Sequence, residues 1–159
     1  MSSRVISNIV VNGARLASKN FSGRPGKYND EGVRSFSLVF DDPEMIEKLV
    51  NDGWNINVTE PNPETGQILG YLRVAVRFAK YPPRIFIIEN GYKTPLNEDN
   101  VGLLDSAEIE NIDLTVSPRV WDENHGRPKI KAYLRSMFVT LKMDELDKKY
   151  FDLPVRVSE

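Results

Sequence analysis

The sequence contains no cysteine and a single histidine, His125, among its 159 residues. Without thiols there can be no disulfide and no thiolate-bound metal, and one imidazole cannot build a zinc site of the usual kind. Long apolar runs are also missing: nothing approaches the roughly 18 consecutive apolar residues that a membrane span needs. Met1-Ser2-Ser3-Arg4 leads into no apolar export core, so the expected location is the cytoplasm, away from any membrane. The sequence has no phosphate-cradling glycine loop, no serine nucleophile elbow and no HExxH pair. His125 falls in the turn Asp122-Glu123-Asn124-His125-Gly126, where a surface role is expected rather than that of a base. No catalytic residue, metal or cofactor is therefore expected.

What the chain does have is charge sorted by segment. Residues 1–40 carry six Lys or Arg against two Asp or Glu, and residues 41–69 reverse this to one against seven. Residues 70–88 hold four bases and no acid, residues 89–113 one base and seven acids, and residues 114–143 six bases and two acids. The net charge of −2 conceals this alternation. The basic segments are those that read as strands, and the acidic ones are mostly connections. Cations concentrated on a sheet point to a polyanionic partner bound there.

The length suits one domain with a short tail. Strands are predicted over 4–17 with a turn signal at Asn12-Gly13, and over 33–40, 54–58, 69–79, 84–88, 109–121 and 129–141. Residues 20–32, rich in Gly, Asn, Ser and Pro, form a loop. A helix starts at Asp41-Asp42-Pro43-Glu44, repeats Met45, Ile46, Leu49 and Val50 at helical spacing, and ends at Gly53. One helical turn is expected within 97–105. The expected fold is mainly β: an OB-fold-like antiparallel β-barrel with one short helix between strands, a sandwich being the alternative. It occupies residues 1–143, and residues 144–159 form a short C-terminal helix or tail.

Residues two apart on a strand share a face. Leu72, Val74, Val76 and Phe78 must face the core, which turns Tyr71, Arg73, Arg77 and Tyr81 outward. Ile112, Leu114, Val116 and possible core residue Val120 leave Asp113, Thr115, Ser117, Arg119 and Trp121 outside. Ile130, Ala132 and Leu134 leave Lys129, Lys131, Tyr133 and Arg135 outside. Beyond Arg135 the phase is ambiguous between Phe138 and the set Met137, Val139 and Leu141, which is the mark of a bulge. Cations interleaved with flat aromatics suit unpaired nucleic acid, because bases stack on aromatic rings while Lys and Arg neutralise phosphates. Duplex DNA exposes no base faces, so single strands are favoured.

Other readings exist. Outward charges also protect strand edges, and the same β-domain could serve as a virion structural protein. Asp105, Glu108, Glu110 and Asp113 could join a Mg²⁺ site, which would make a nuclease.

The chain resembles the single-stranded DNA-binding proteins of tailed bacteriophages and prophages, an OB-fold group. The likeness lies in Asn20-Phe21-Ser22-Gly23, Tyr28-Asn29, Gly32-Val33-Arg34-Ser35-Phe36, Gly53-Trp54-Asn55-Ile56, Pro82-Pro83 and Leu104-Asp105. It continues through Ile109, Asn111-Ile112-Asp113-Leu114, Pro118, Trp121 and Ile130-Lys131-Ala132-Tyr133-Leu134, spanning residues 5 to 145. The resemblance implies a non-enzymatic protein that coats single-stranded DNA during phage replication or recombination, in the host cytoplasm. Arg73, Arg77, Arg119, Lys129, Lys131 and Arg135 would then contact phosphates. Tyr71, Tyr81, Trp121 and Tyr133 would stack on bases, with Arg34 and the Lys27-Tyr28 loop as clamps. Such proteins often carry an acidic tail that recruits replication proteins. Here Asp144, Glu145, Asp147 and Asp152 are diluted by Lys148, Lys149 and Arg156. A homo-oligomer is compatible with all of this.

Overall fold

The computed structural model describes residues 6–27, 29–121, 129–143, 145–150, 153, 154 and 156, with the side chains of 121, 129, 145, 147 and 148 left out. Nine strands form one sheet. Its main path runs β1 (Ile9–Asn12), β8 (Ile109–Trp121), β9 (Lys129–Leu141), β5 (Gly70–Val76), β3 (Arg34–Phe40), β2 (Arg15–Asn20). The two ends of this path, β1 and β2, are halves of a single segment bent at Asn12-Gly13, where Gly13 has φ +69°. Its first half pairs with β8 and its second half with β3. The sheet thus returns on itself as a ring of five strand positions, the strand count of an OB-type barrel. Sequence alternation carries no information on strand direction, and the sheet is mixed rather than wholly antiparallel. β9 runs parallel to β5 and, further along, parallel to β6 (Arg84–Glu89).

Alternation decides which side chains fill the ring. Phe36, Leu38, Leu72, Val74, Ile112, Leu114, Val116, Ala132 and Leu134 are all buried. Phe21 stacks on Phe36 with ring centroids 5.5 Å apart. Val120, the possible core residue, is instead 49% exposed, because the β8–β9 ladder runs on to the pair Trp121 and Lys129. The phase ambiguity on β9 resolves as a bulge. Thr115 faces Ser136 and Val116 faces Leu134, so Arg135 has no partner residue across the ladder. Past it Met137 and Val139 are buried and Phe138 points out.

Helix α1 (Pro43–Asp52) has the expected ends. Asp42 accepts from the Glu44 N–H, and Gly53 closes the helix in the left-handed conformation at φ +102°. Ile46 and Leu49 bury its inner face, and Trp54, just past the cap, belongs to the core. β4 (Ile56–Val58) lies on β5. A strand not expected from sequence, β7 (Tyr92–Leu96), makes a hairpin with β6. Asn90 and Gly91 both have positive φ, +53° and +78°, as a two-residue primed turn requires. The expected helical turn is the 3-10 segment Val101–Asp105, and a short helix α2 (Glu145–Tyr150) follows β9. Among the described residues no helix is long and apolar enough to cross a membrane.

Candidate nucleic-acid interface

The outer side of β3, β5, β9 and β8 is set by three registers. Ser35 faces Ala75, Ala75 faces Tyr133, and Tyr133 faces Ser117. Tyr133 thus sits mid-sheet and half-buried, with small residues on both neighbouring strands. One step along, Ser37 faces Arg73, and Lys131 faces Arg119. Parallel pairing of β5 with β9 sets Val74 on Ala132 and Ala75 on Tyr133, which brings Arg73 and Arg77 to the two ends of this row. Arg77, Arg119 and Lys131 act directly on the tyrosine.

The contacts are direct. The Lys131 ammonium lies 5.5 Å from the centre of the Tyr133 ring. The phenol oxygen is shielded from solvent and makes no hydrogen bond of good geometry to a described group. Burial raises the pKa of this phenol and is the largest influence on it. The approach of Arg77 and Arg119 and the charge of Lys131 outweigh burial, so the pKa is lowered from its ordinary value. The lowering is the work of the three cations that approach the phenol.

Other expected residues are placed differently. Tyr71 is half-buried on the outer face opposite Val39 and Asn57. Tyr81 is 88% exposed in the turn after β5, standing clear of the sheet. Arg34 has the inward parity of Phe36, and its side chain is only 16% exposed. Its guanidinium sits 5.7 Å from the Phe78 ring and 3.4 Å from the Glu98 carboxylate. The structure therefore gives Arg34 a fixed place at the end of the barrel, not a free cation. Lys27 is exposed in the loop between β2 and β3. Tyr28, the side chains of Trp121 and Lys129, and the turn with His125 lie outside the described residues.

That loop is braced by the Asn20 and Asn29 side chains and, at its start, by one carboxylate. Asp105 accepts from the N–H of Phe21 at 2.7 Å, the N–H of Ser22 at 3.1 Å and the Ser22 hydroxyl. The Arg24 guanidinium lies 3.8 Å away. Burial raises the pKa of Asp105, but these donors and the Arg24 charge together hold it below the ordinary 3.8. A carboxylate so engaged is committed to the loop rather than to a cation. Among the described residues no group of three or more acids or histidines could hold a metal ion.

Sequence reasoning missed Arg84, Phe86 and Lys93. Phe86 stacks on Phe138 at 5.5 Å between centroids, and the Lys93 ammonium sits 4.7 Å from the centre of the Phe86 ring. The signal was the alternation in Arg84-Ile85-Phe86-Ile87, where Ile85 and Ile87 are core and their neighbours are outside.

A five-position β-ring whose outer wall carries cations around a half-buried tyrosine is the architecture of barrels that hold an extended polyanion on a strand surface. The whole chain, residues 1–159, matches the family model described as "Putative phage ssDNA-binding domain", and it belongs to that family. Its fold is similar to that of the single-stranded DNA-binding protein of bacteriophage Enc34, solved in complex with ssDNA. The TM-score is 0.51 at 14% identity, covering 86% of this chain and 88% of that one. A second structure of the Enc34 protein gives 0.50 at 12% identity, covering 86% and 82%. At such identity the likeness is one of fold. No curated protein matches the sequence.

Proposed function

We propose that this chain binds single-stranded DNA with little regard to sequence, on the outer face centred on Tyr133, and coats the strand during phage replication or recombination. The observation that carries this is the half-buried Tyr133 on the outer face, paired with Ala75 and Ser117 and approached by Arg77, Arg119 and Lys131. Rings of this kind contribute about 1–3 kcal/mol per stacked base, and stacking is indifferent to base identity. Duplex DNA would use only the cations.

The proposed role is non-enzymatic, and the engagement of Asp105 by loop amides supports it. Recruitment of replication proteins through residues 144–159, and self-association, remain part of the proposal. The decisive measurement is a titration with oligo-dT and with matched duplex, followed by tryptophan fluorescence across a salt series. Preference for the single strand, with affinity falling as salt rises, is the expected outcome. Equal indifference to both nucleic acids would refute the proposal.

A further inference from the structure

Tyr133 and Phe138 are five residues apart, an odd spacing that on a regular strand would put them on opposite faces. They share the outer face because the bulge at Arg135 inserts one residue between them. That single insertion keeps two aromatics on one wall of the barrel, about 15 Å apart along β9. Two cations lie along the way between them. Arg135 is exposed at the bulge, and exposed Arg84 on β6 lies opposite Ser136. Past Arg84, Phe138 is 37% exposed, backed by Phe86, and Lys93 closes over Phe86.

We infer that the Phe138–Phe86 pair is a second base-stacking station for the same DNA strand, a role that presupposes the binding proposed above. The strand would pass from Tyr133 over Arg135 and Arg84 to Phe138 and Lys93. The Phe138 ring leaves part of its flat apolar surface in water on this face, where a stacked base would cover it. Nucleobases fit because the face is continuous with the Tyr133 cluster and repeats its combination of flat ring and ammonium. The nearby acid on β8, Asp113, pairs in register with Phe138, and its carboxylate accepts from the Gly13 N–H at 2.9 Å. It makes the β8 side unfavourable for phosphates, which places the DNA backbone on the β6–β7 side, where Arg84 and Lys93 stand.

The test compares oligo-dT of about 4 and about 16 nucleotides, the span of site sizes known for single OB barrels. Phe138→Ala and Arg84→Ala are measured beside Tyr133→Ala and the unaltered chain, and sedimentation is followed without DNA. Phe138→Ala is expected to weaken the long oligonucleotide about tenfold or more and the short one much less. Arg84→Ala, a surface change that leaves the fold intact, should weaken the long oligonucleotide alone and flatten its salt dependence. Tyr133→Ala should weaken both. Unchanged long-oligonucleotide affinity in both Phe138→Ala and Arg84→Ala would overturn the inference, as would equal losses on both lengths. A changed sedimentation coefficient with unchanged affinity would make the face a contact between copies and overturn it too. If the unaltered chain binds neither oligonucleotide, single-strand binding itself fails.

Discussion

Tyr133 combines a partly exposed ring on the outer face with a phenol approached by two guanidinium groups, Arg77 and Arg119. Truncating it to Ala removes a stacking partner while leaving Leu134, Ala132 and the other buried residues in place. Tyr133→Ala should therefore lower oligo-dT affinity by about 1–3 kcal/mol and shift the thermal midpoint little, as titration and melting would show. The phenol also predicts a pH effect. Because its pKa is lowered in the folded chain, phenolate forms earlier than in a free tyrosine as pH rises. The resulting stabilisation grows as pH climbs from the folded value and is complete above the ordinary value of 10.0. An alkaline absorbance titration should show one early-ionising tyrosine that Tyr133→Phe removes. Arg34 has the opposite character. Held by Phe78 and Glu98, it should affect stability more than binding: Arg34→Ala is expected to cost roughly 1 kcal/mol in denaturant unfolding. Basic residues look alike in sequence, and only the inward parity shared with Phe36 distinguished this one.

The loop between β2 and β3 is kept in place by the turn Val101–Asp105, which reaches it through Asp105 and through close packing. A Cβ added at Gly102 would come within 2.9 Å of Ser22 Cβ and 3.2 Å of its Cα. Gly102→Ala should push the turn off the loop and destabilise the protein by about 1–3 kcal/mol, with faster proteolysis within residues 20–33. The Asp105 latch has a defined acid limit. Its folded pKa lies below 3.8, so its contribution is present above 3.8 and is lost as pH falls through the folded value. Hydrogen exchange at Phe21 and Ser22 should stay slow until then. Most elements were legible in the sequence. The boundaries of β8 and β9 and both ends of α1 follow from alternation and capping residues that act locally. β7 was hidden because its residues Tyr92 to Pro95 are exposed and lack alternation, although Asn90-Gly91 marked its turn. Of the proposed binding face, the outward placement of the cations and Tyr133 was legible from parity alone. The Phe86 and Phe138 pair was not, since it depends on a bulge and on two parallel strands meeting from distant parts of the chain.

At the scale of the molecule, the sorted charges become a division of surface. The basic strands supply the outer wall around Tyr133, while acids such as Asp42, Glu44 and Asp105 serve a helix cap and a loop latch. A chain of net charge −2 can thus present a positive face. Each phosphate neutralised should add about −0.7 to the slope of log affinity against log salt for a single strand. Lys131→Ala should reduce the slope by about that amount, measured by repeating the titration at several salt concentrations.

The bend at Asn12-Gly13 reaches beyond binding. Because β1 pairs with β8 across more than a hundred residues, Ile9 meeting Val116, the ring cannot close until the β8 segment exists. Before then β1 has no ladder, and during synthesis it must wait with its hydrogen-bonding edge open to other chains. Non-local closure of this kind is slow, with folding expected in milliseconds to seconds. Substitutions that weaken the β1–β8 pairing should accordingly slow folding, as stopped-flow refolding would show.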